Sequence, residues 1–127
     1  MWELTKSFRF EAAHALSGTT LGAVSEEIHG HSFRAEVALR GRPNRESGIM
    51  MDLGRLEQQL GEIRALLDHK LLNNVVGLEK PTLELLAVFI WDRVKPGGDC
   101  ELARVTVFRD SCNEACSYFG PQQAHAR

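Results

Sequence analysis

Proline, cysteine and one-sided charge are all scarce in this chain, and each scarcity excludes something. Four prolines and 11 glycines among 127 residues leave no material for collagen-like repeats or low-complexity linkers. Fifteen Lys plus Arg against seventeen Asp plus Glu give a net charge of −2, so there is no basic surplus to hold a phosphate backbone, and no nucleic-acid partner is expected. Long apolar runs are missing too: a stretch such as Leu85 to Trp91 stops far short of the roughly 20 residues a membrane span requires. The start Met1-Trp2-Glu3-Leu4 does not read as a signal peptide, so no membrane association and a cytoplasmic location are expected. Cys100, Cys112 and Cys116 are an odd number, which argues against a disulfide framework and for free thiols.

What remains is a composition of 43% hydrophobic and 25% charged residues, enough for a chain of this length to bury roughly two-thirds of its unfolded surface. A single domain over residues 1–127 is the simplest organisation. Phe8, Phe10 and Ala12 alternate with Arg9 and Glu11, the period of a half-buried strand from Leu4 to His14. After a loop rich in Gly, Thr and Ser, a second alternation puts His29, His31, Phe33, Ala35, Val37 and Leu39 on one face and Ser32, Arg34, Glu36 and Arg40 on the other. The chain is expected to run extended around Gly48–Met51. Asp52 then caps a helix whose stripe is Leu53, Leu56, Leu60, Ile63 and Leu67. Pro81-Thr82 opens a second helix with Leu83, Leu86, Ala87, Ile90 and Val94 inward. Strands over about Leu102–Arg109 and Glu114–Phe119 complete an α+β order, β-β-α-α-β-β. Four antiparallel strands with two helices on one face leave open sheet edges, and open edges favour a homo-oligomer.

The histidines carry the most chemical information. His29 and His31 flank Gly30 on a strand, so their side chains leave the same face with origins about 6.6 Å apart. His14 lies on the apolar side of the preceding strand and joins them if the two strands form a hairpin. Three imidazoles with an open fourth position are the donor set of a catalytic zinc ion; His14 taken alone reads first as a core residue, and only the three together reverse that reading. Asp68-His69 is a second cluster, readable as a carboxylate tuning an imidazole for acid–base work or as a histidine facing a helix dipole. Thr82 reads as a helix cap or, with Glu84, as part of a ligand pocket. Asp110 reads as a strand-end turn residue or as a carboxylate taking two parallel hydrogen bonds from an amidine-like edge.

Taken together, Phe10-Glu11-Ala12-Ala13-His14, His29-Gly30-His31-Ser32-Phe33, Gly48-Ile49-Met50-Met51-Asp52, Leu67-Asp68-His69-Lys70-Leu71-Leu72-Asn73 and Lys80-Pro81-Thr82-Leu83-Glu84 resemble, in order and spacing, the 6-pyruvoyltetrahydropterin synthase family. The stretch from Gly77 to Pro96 is most similar to that family's 6-carboxytetrahydropterin synthase branch of queuosine biosynthesis. The resemblance implies a tunnelling fold, in which subunit sheets join into a barrel as a trimer or hexamer. It implies Zn2+ on His14, His29 and His31, a pterin triphosphate substrate held by its side-chain oxygens, and Asp68 and His69 in proton transfer. The implied reaction converts 7,8-dihydroneopterin triphosphate to 6-carboxy-5,6,7,8-tetrahydropterin with loss of triphosphate and acetaldehyde.

The sequence departs from the family pattern twice. Ser25 stands where the family has a catalytic cysteine, and a hydroxyl is a far weaker acid than a thiol of pKa about 8.5. Glu27, on His29's side if the strand extends backwards, is the expected substitute base, since some branches use a glutamate in this loop and release 6-hydroxymethyl-dihydropterin for folate synthesis. Glu26 and Glu27 read equally as solvated loop carboxylates. A catalytically weakened zinc- and pterin-binding paralogue is the third reading. Asp110 stands where a pterin-anchoring glutamate is expected, its carboxylate retracted by roughly 1.5 Å.

Overall fold

The computed structural model describes residues 1–16 and 27–122. Strand β1 (Trp2–His14) and strand β2 (His29–Gly41) pair antiparallel over their whole length, from Trp2↔Gly41 to His14↔His29. Helix α1 (Leu53–Leu67) follows, then a two-residue strand β3 (Lys70–Leu71), helix α2 (Leu83–Trp91), strand β4 (Cys100–Arg109) and strand β5 (Glu114–Tyr118). The sheet order is β3-β1-β2-β4-β5. All pairs are antiparallel except β1 with β3. The expected α+β order therefore holds, with β3 added at one edge.

The side-chain alternation read from sequence sorts the sheet into two unlike faces. Phe10, Ala12, Phe33, Ala35, Val37, Val105 and Val107 are buried on one face. There they meet Leu56, Leu60, Ile63 and Leu67 of α1 and Leu86, Ala87, Phe89 and Ile90 of α2. Helix α1 lies over β1, and α2 lies over β4 and β5. The Asp52 carboxylate accepts from Gly54 N at 2.9 Å, and Thr82 Oγ1 accepts from Leu85 N at 3.2 Å; each satisfies a backbone N–H left open at a helix start.

The uncovered face carries a ladder of alternating charge. Arg40 donates to Glu3, Arg104 to both Glu3 and Glu36, and Arg34 to Asp110, at 2.9–3.3 Å. Arg9 and Arg34 are direct cross-strand partners, and both turn to the Asp110 carboxylate, at 3.6 and 3.0 Å, which offsets their like charges.

Three details depart from the sequence reading. Residues Gly48–Met51 form no strand: Gly48 N donates to Asn44 O at 2.8 Å and Asn44 N to Ile49 O at 3.0 Å, closing a turn with Gly48 at φ 73. Strand β3 pairs only Lys70 and Leu71 with Ala12 and Ala13, too few residues to show a period. Ala38 is fully buried although its neighbours in the alternation, Glu36 and Arg40, are not. Ala38 lies between Thr5 of β1 and Arg104 of β4, and the register with β4 shifts just beyond it, passing over Ala103.

Leu60 is 2% exposed and Leu66, on the same helix, 47%. Leu60→Ala is expected to cost about 2–5 kcal/mol and Leu66→Ala less than about 0.5 kcal/mol, read from denaturant midpoints. Equal losses would mean that α1 does not present this stripe to the sheet.

Candidate functional site

The β1–β2 register brings His14 opposite His29, with His31 two residues on along the same face. The three rings pack edge to face, with centroids 4.6, 5.0 and 4.8 Å apart for the pairs His14–His29, His14–His31 and His29–His31. One ring nitrogen from each lies within 4.8 Å of the others. Small side-chain rotations bring such donors to the roughly 3.3 Å that bonds of 2.0–2.1 Å to one tetrahedral ion imply. His14 Nδ1 lies 2.9 Å from the Pro81 carbonyl and His29 Nδ1 lies 2.8 Å from the Glu27 carbonyl. A carbonyl only accepts, so each Nδ1 carries the hydrogen and each Nε2 keeps a lone pair, the arrangement by which proteins orient metal-binding imidazoles.

His14 Nε2 and His31 Nε2 are buried without a hydrogen-bond partner. Buried polar atoms are rarely left so, and a cation shared by the three rings accounts for both. Burial pushes the His14 pKa down, and burial together with the charges of His14, Arg109 and His29 pushes His31 down to about 4. These two imidazoles are thus held in the neutral form that binds metal. The donor set fits a divalent ion that favours nitrogen.

Asp68 and His69 are also brought together, by a route that helix geometry alone would not give. Adjacent helical residues diverge by about 100°, but Asp68 is the C-cap of α1, extended at ψ 130, and His69 turns left-handed at φ 59. The Asp68 carboxylate consequently lies 2.9 Å from His69 Nδ1 and 3.0 Å from Arg64, and accepts from Glu11 N at 2.9 Å. His69 N in turn donates to Glu11 O, fastening the pair to β1. The Glu11 N–H bond, followed by the contacts with His69 and Arg64, holds the Asp68 carboxyl below the usual range. His69 lines an open cleft of about 540 Å³ with Glu11, Ala13, Gly30 and Ser32, which also reaches His31.

The other sequence candidates are dispersed. Thr82 caps α2, and the preceding Pro81 carbonyl is the one that orients His14. Glu84 sits in the first turn of α2. Asp110 begins a short turn after β4, gripped by Arg34 through two bonds of 3.0 and 3.2 Å and approached by Arg9 at 3.6 Å. Glu27 is exposed, and β2 begins only at His29, so the strand does not carry Glu27 onto the histidine face. Ser25 and Glu26 lie outside the described residues. Cys100, Cys112 and Cys116 are free.

Sequence reasoning missed Arg109 and Glu114. They are cross-strand partners that form an ion pair, and the charges of both reach His31. Counting the alternation out to the ends of β4 and β5 would have placed them on the histidine face.

The family model described as 6-pyruvoyl tetrahydropterin synthase matches residues 3–121. The chain belongs to this family. It is similar to the 6-carboxy-5,6,7,8-tetrahydropterin synthase of Synechocystis sp., 35% identical with 96% of each chain covered. It is also similar to the dihydroneopterin monophosphate aldolase of Pyrococcus furiosus, 33% identical over 78% of this chain and 82% of the relative. The solved structure of Caenorhabditis elegans 6-pyruvoyl tetrahydropterin synthase superposes with a TM-score of 0.78 at 24% identity, covering 94% of this chain and 96% of that one. That likeness speaks for the fold: a pterin-synthase sheet with helices on one face. Among the described residues no helix is long and apolar enough to cross a membrane.

Two outcomes are expected. His29→Ala and His31→Ala should each abolish stoichiometric metal, measured by elemental analysis, with the far-ultraviolet dichroism unchanged; full metal content in either variant would show the ligand set to be wrong. Asp68 has a lowered pKa, so its charged form stabilises the fold above the ordinary carboxylate range, and that contribution is lost as pH falls through the lowered value. Wild type should therefore outlast Asp68→Asn in urea at neutral pH, with the gap closing on acidification. A pH-independent gap would rule out the carboxylate charge as its source.

Proposed function

We propose that the chain is a zinc-dependent 6-carboxytetrahydropterin synthase. It would take 7,8-dihydroneopterin triphosphate to 6-carboxy-5,6,7,8-tetrahydropterin, triphosphate and acetaldehyde. The observation that carries this reading is the trihistidine cluster with two unpartnered Nε2 atoms, in a chain similar to a named 6-carboxy-5,6,7,8-tetrahydropterin synthase along 96% of both lengths. His14, His29 and His31 would hold the ion. When bound, zinc supplies a Lewis acid that polarises side-chain oxygens of the substrate and makes the adjoining C–H groups acidic.

The chain's own residues then handle protons. With Nδ1–H committed to the Asp68 carboxylate, His69 offers Nε2 as the acceptor for a substrate proton and returns it as a general acid. Glu27 is the second base in place of the family cysteine; it is exposed and two residues from His29. Ser25 fills the cysteine position as a neutral hydroxyl. Thr82 and Glu84, which follow the Pro81 carbonyl that orients His14, would contact the pterin. Asp110 anchors the pterin once Arg34 yields one of its two bonds.

The site is completed by other copies of the chain. Strand β3 covers only Ala12 and Ala13 of β1, so most of that edge is open among the described residues, as is the outer edge of β5. Pairing across these edges would close subunit sheets into a barrel, as a trimer or hexamer, with the charged ladder lining its interior. His69, whose side chain is 78% exposed, would then face a cleft walled by a neighbour.

The similarity to a dihydroneopterin monophosphate aldolase, together with Ser25 at the cysteine position, favours a second reading. In it a glutamate-using lyase gives 6-hydroxymethyl-dihydropterin. Incubating the zinc-loaded protein with 7,8-dihydroneopterin triphosphate and identifying the pterin by mass spectrometry separates the two. Carboxytetrahydropterin with acetaldehyde is expected. Hydroxymethylpterin would move the enzyme to the lyase branch, with Glu27→Gln expected to abolish turnover. Unchanged substrate with full zinc content would identify a binding paralogue.

A further inference from the structure

Among the described residues, three buried side-chain nitrogens lack a hydrogen-bond partner: His14 Nε2, His31 Nε2 and Arg109 Nε. All three belong to one place. Arg109 ends β4, one residue beyond the Arg34↔Phe108 pairing, so it lies across from Phe33 and shares the helix-covered face with Phe33 and His31. Its side chain is 17% exposed, and one terminal nitrogen is held by Glu114. The charges of Arg109 and Glu114 are both felt at His31.

A metal accounts for the two imidazole nitrogens but not for the third. Arg109 Nε bears a hydrogen and no available lone pair, and a guanidinium is not deprotonated in proteins, so it cannot be a ligand. It needs an acceptor, and the described residues supply none. A lone guanidinium beside a cation site would also repel the ion; Glu114 offsets that charge and fixes the plane of the group. What remains is a rigid N–H donor beside the three histidines, waiting for an oxygen that arrives with the ligand.

We propose that Arg109 is the oxyanion donor of this site. Its Nε–H takes the carbonyl oxygen that loss of triphosphate leaves on the substrate side chain; when the side-chain base removes the proton from the adjoining hydroxyl-bearing carbon, the C–H pair becomes a C=C bond and the carbonyl π pair moves onto an oxygen already facing a fixed donor. The ligand class is an α-hydroxy carbonyl or α-hydroxy carboxylate group. The assignment rests on the proposed pterin reading for its substrate, not for its geometry.

The test loads wild type, Arg109→Gln and Arg109→Lys with cobalt(II), titrates each with lactate as an α-hydroxy carboxylate probe, and follows the visible absorption of the metal. Zinc-loaded samples are assayed in parallel with 7,8-dihydroneopterin triphosphate. Arg109→Gln is expected to keep its metal, bind lactate at least tenfold more weakly, and lose about 100-fold in kcat with little change in KM. Arg109→Lys keeps the charge but not the planar donor, so it should fold, retain metal and still lose several-fold in lactate affinity. Wild-type lactate binding in either variant would overturn the proposal. So would loss of cobalt from both, which would make Arg109 a support of the metal centre. If wild type leaves the pterin unconverted while the lactate titrations behave as expected, the proposed reaction falls and the donor assignment stands.

Discussion

Everything in this structure depends on the unbroken antiparallel pairing of β1 with β2. Because side chains alternate across a sheet, a register that opposes Trp2 to Gly41 also opposes His14 to His29, and the faces of both strands are decided together. A slip of one residue would turn His14 to the open face and leave Phe10 in water. The same aromatic packing that specifies the register, Phe10 stacked on Phe33 with ring centroids 5.0 Å apart, therefore also specifies the histidine cluster. Core and site are one design here: His31 continues the row of Phe33 and Ala35, and the hydrophobic effect that buries the row strips water from the imidazoles.

The two faces of the sheet solve different problems. Under the helices, apolar side chains leave few polar atoms to satisfy, and those that remain unpaired gather at the histidine end. On the other face the Arg40–Glu3–Arg104–Glu36 run and the Arg34–Asp110 fork keep long side chains ordered against the sheet. Such half-exposed pairs contribute little to stability individually. Their geometric effect is larger: they keep the uncovered face hydrophilic and stop it from competing with the core for burial.

Much of this was legible in the sequence because it is written in periods. The alternation over residues 29–39 and the leucine spacing of α1 gave the strands, the helix and the shared side of His14, His29 and His31. Other features have no period to read. Asp68 meets His69 only because a cap ends the helix between them and the chain turns left-handed. Arg34 closes on Asp110 across 76 residues of sequence, a contact set by strand order. Arg109 and Glu114 do follow the alternation of β4 and β5, but only when it is counted past the last apolar residues to the strand ends. The register shift that passes over Ala103 of β4 beside Ala38 is announced by no local pattern.

The backbone at His69 carries a consequence of its own. A side chain at φ 59 crowds the following carbonyl, a conformation that glycine adopts freely and other residues hold at a cost of about 1–2 kcal/mol. Any process that rewards thermal endurance alone would exchange this histidine for glycine, because the turn after α1 needs the dihedral and not the ring. On the proposed mechanism, the imidazole is kept at this corner against that preference. Random variants sorted by heat resistance and by turnover should disagree at residue 69 more sharply than at neighbouring Lys70, where the chain is back in a strand.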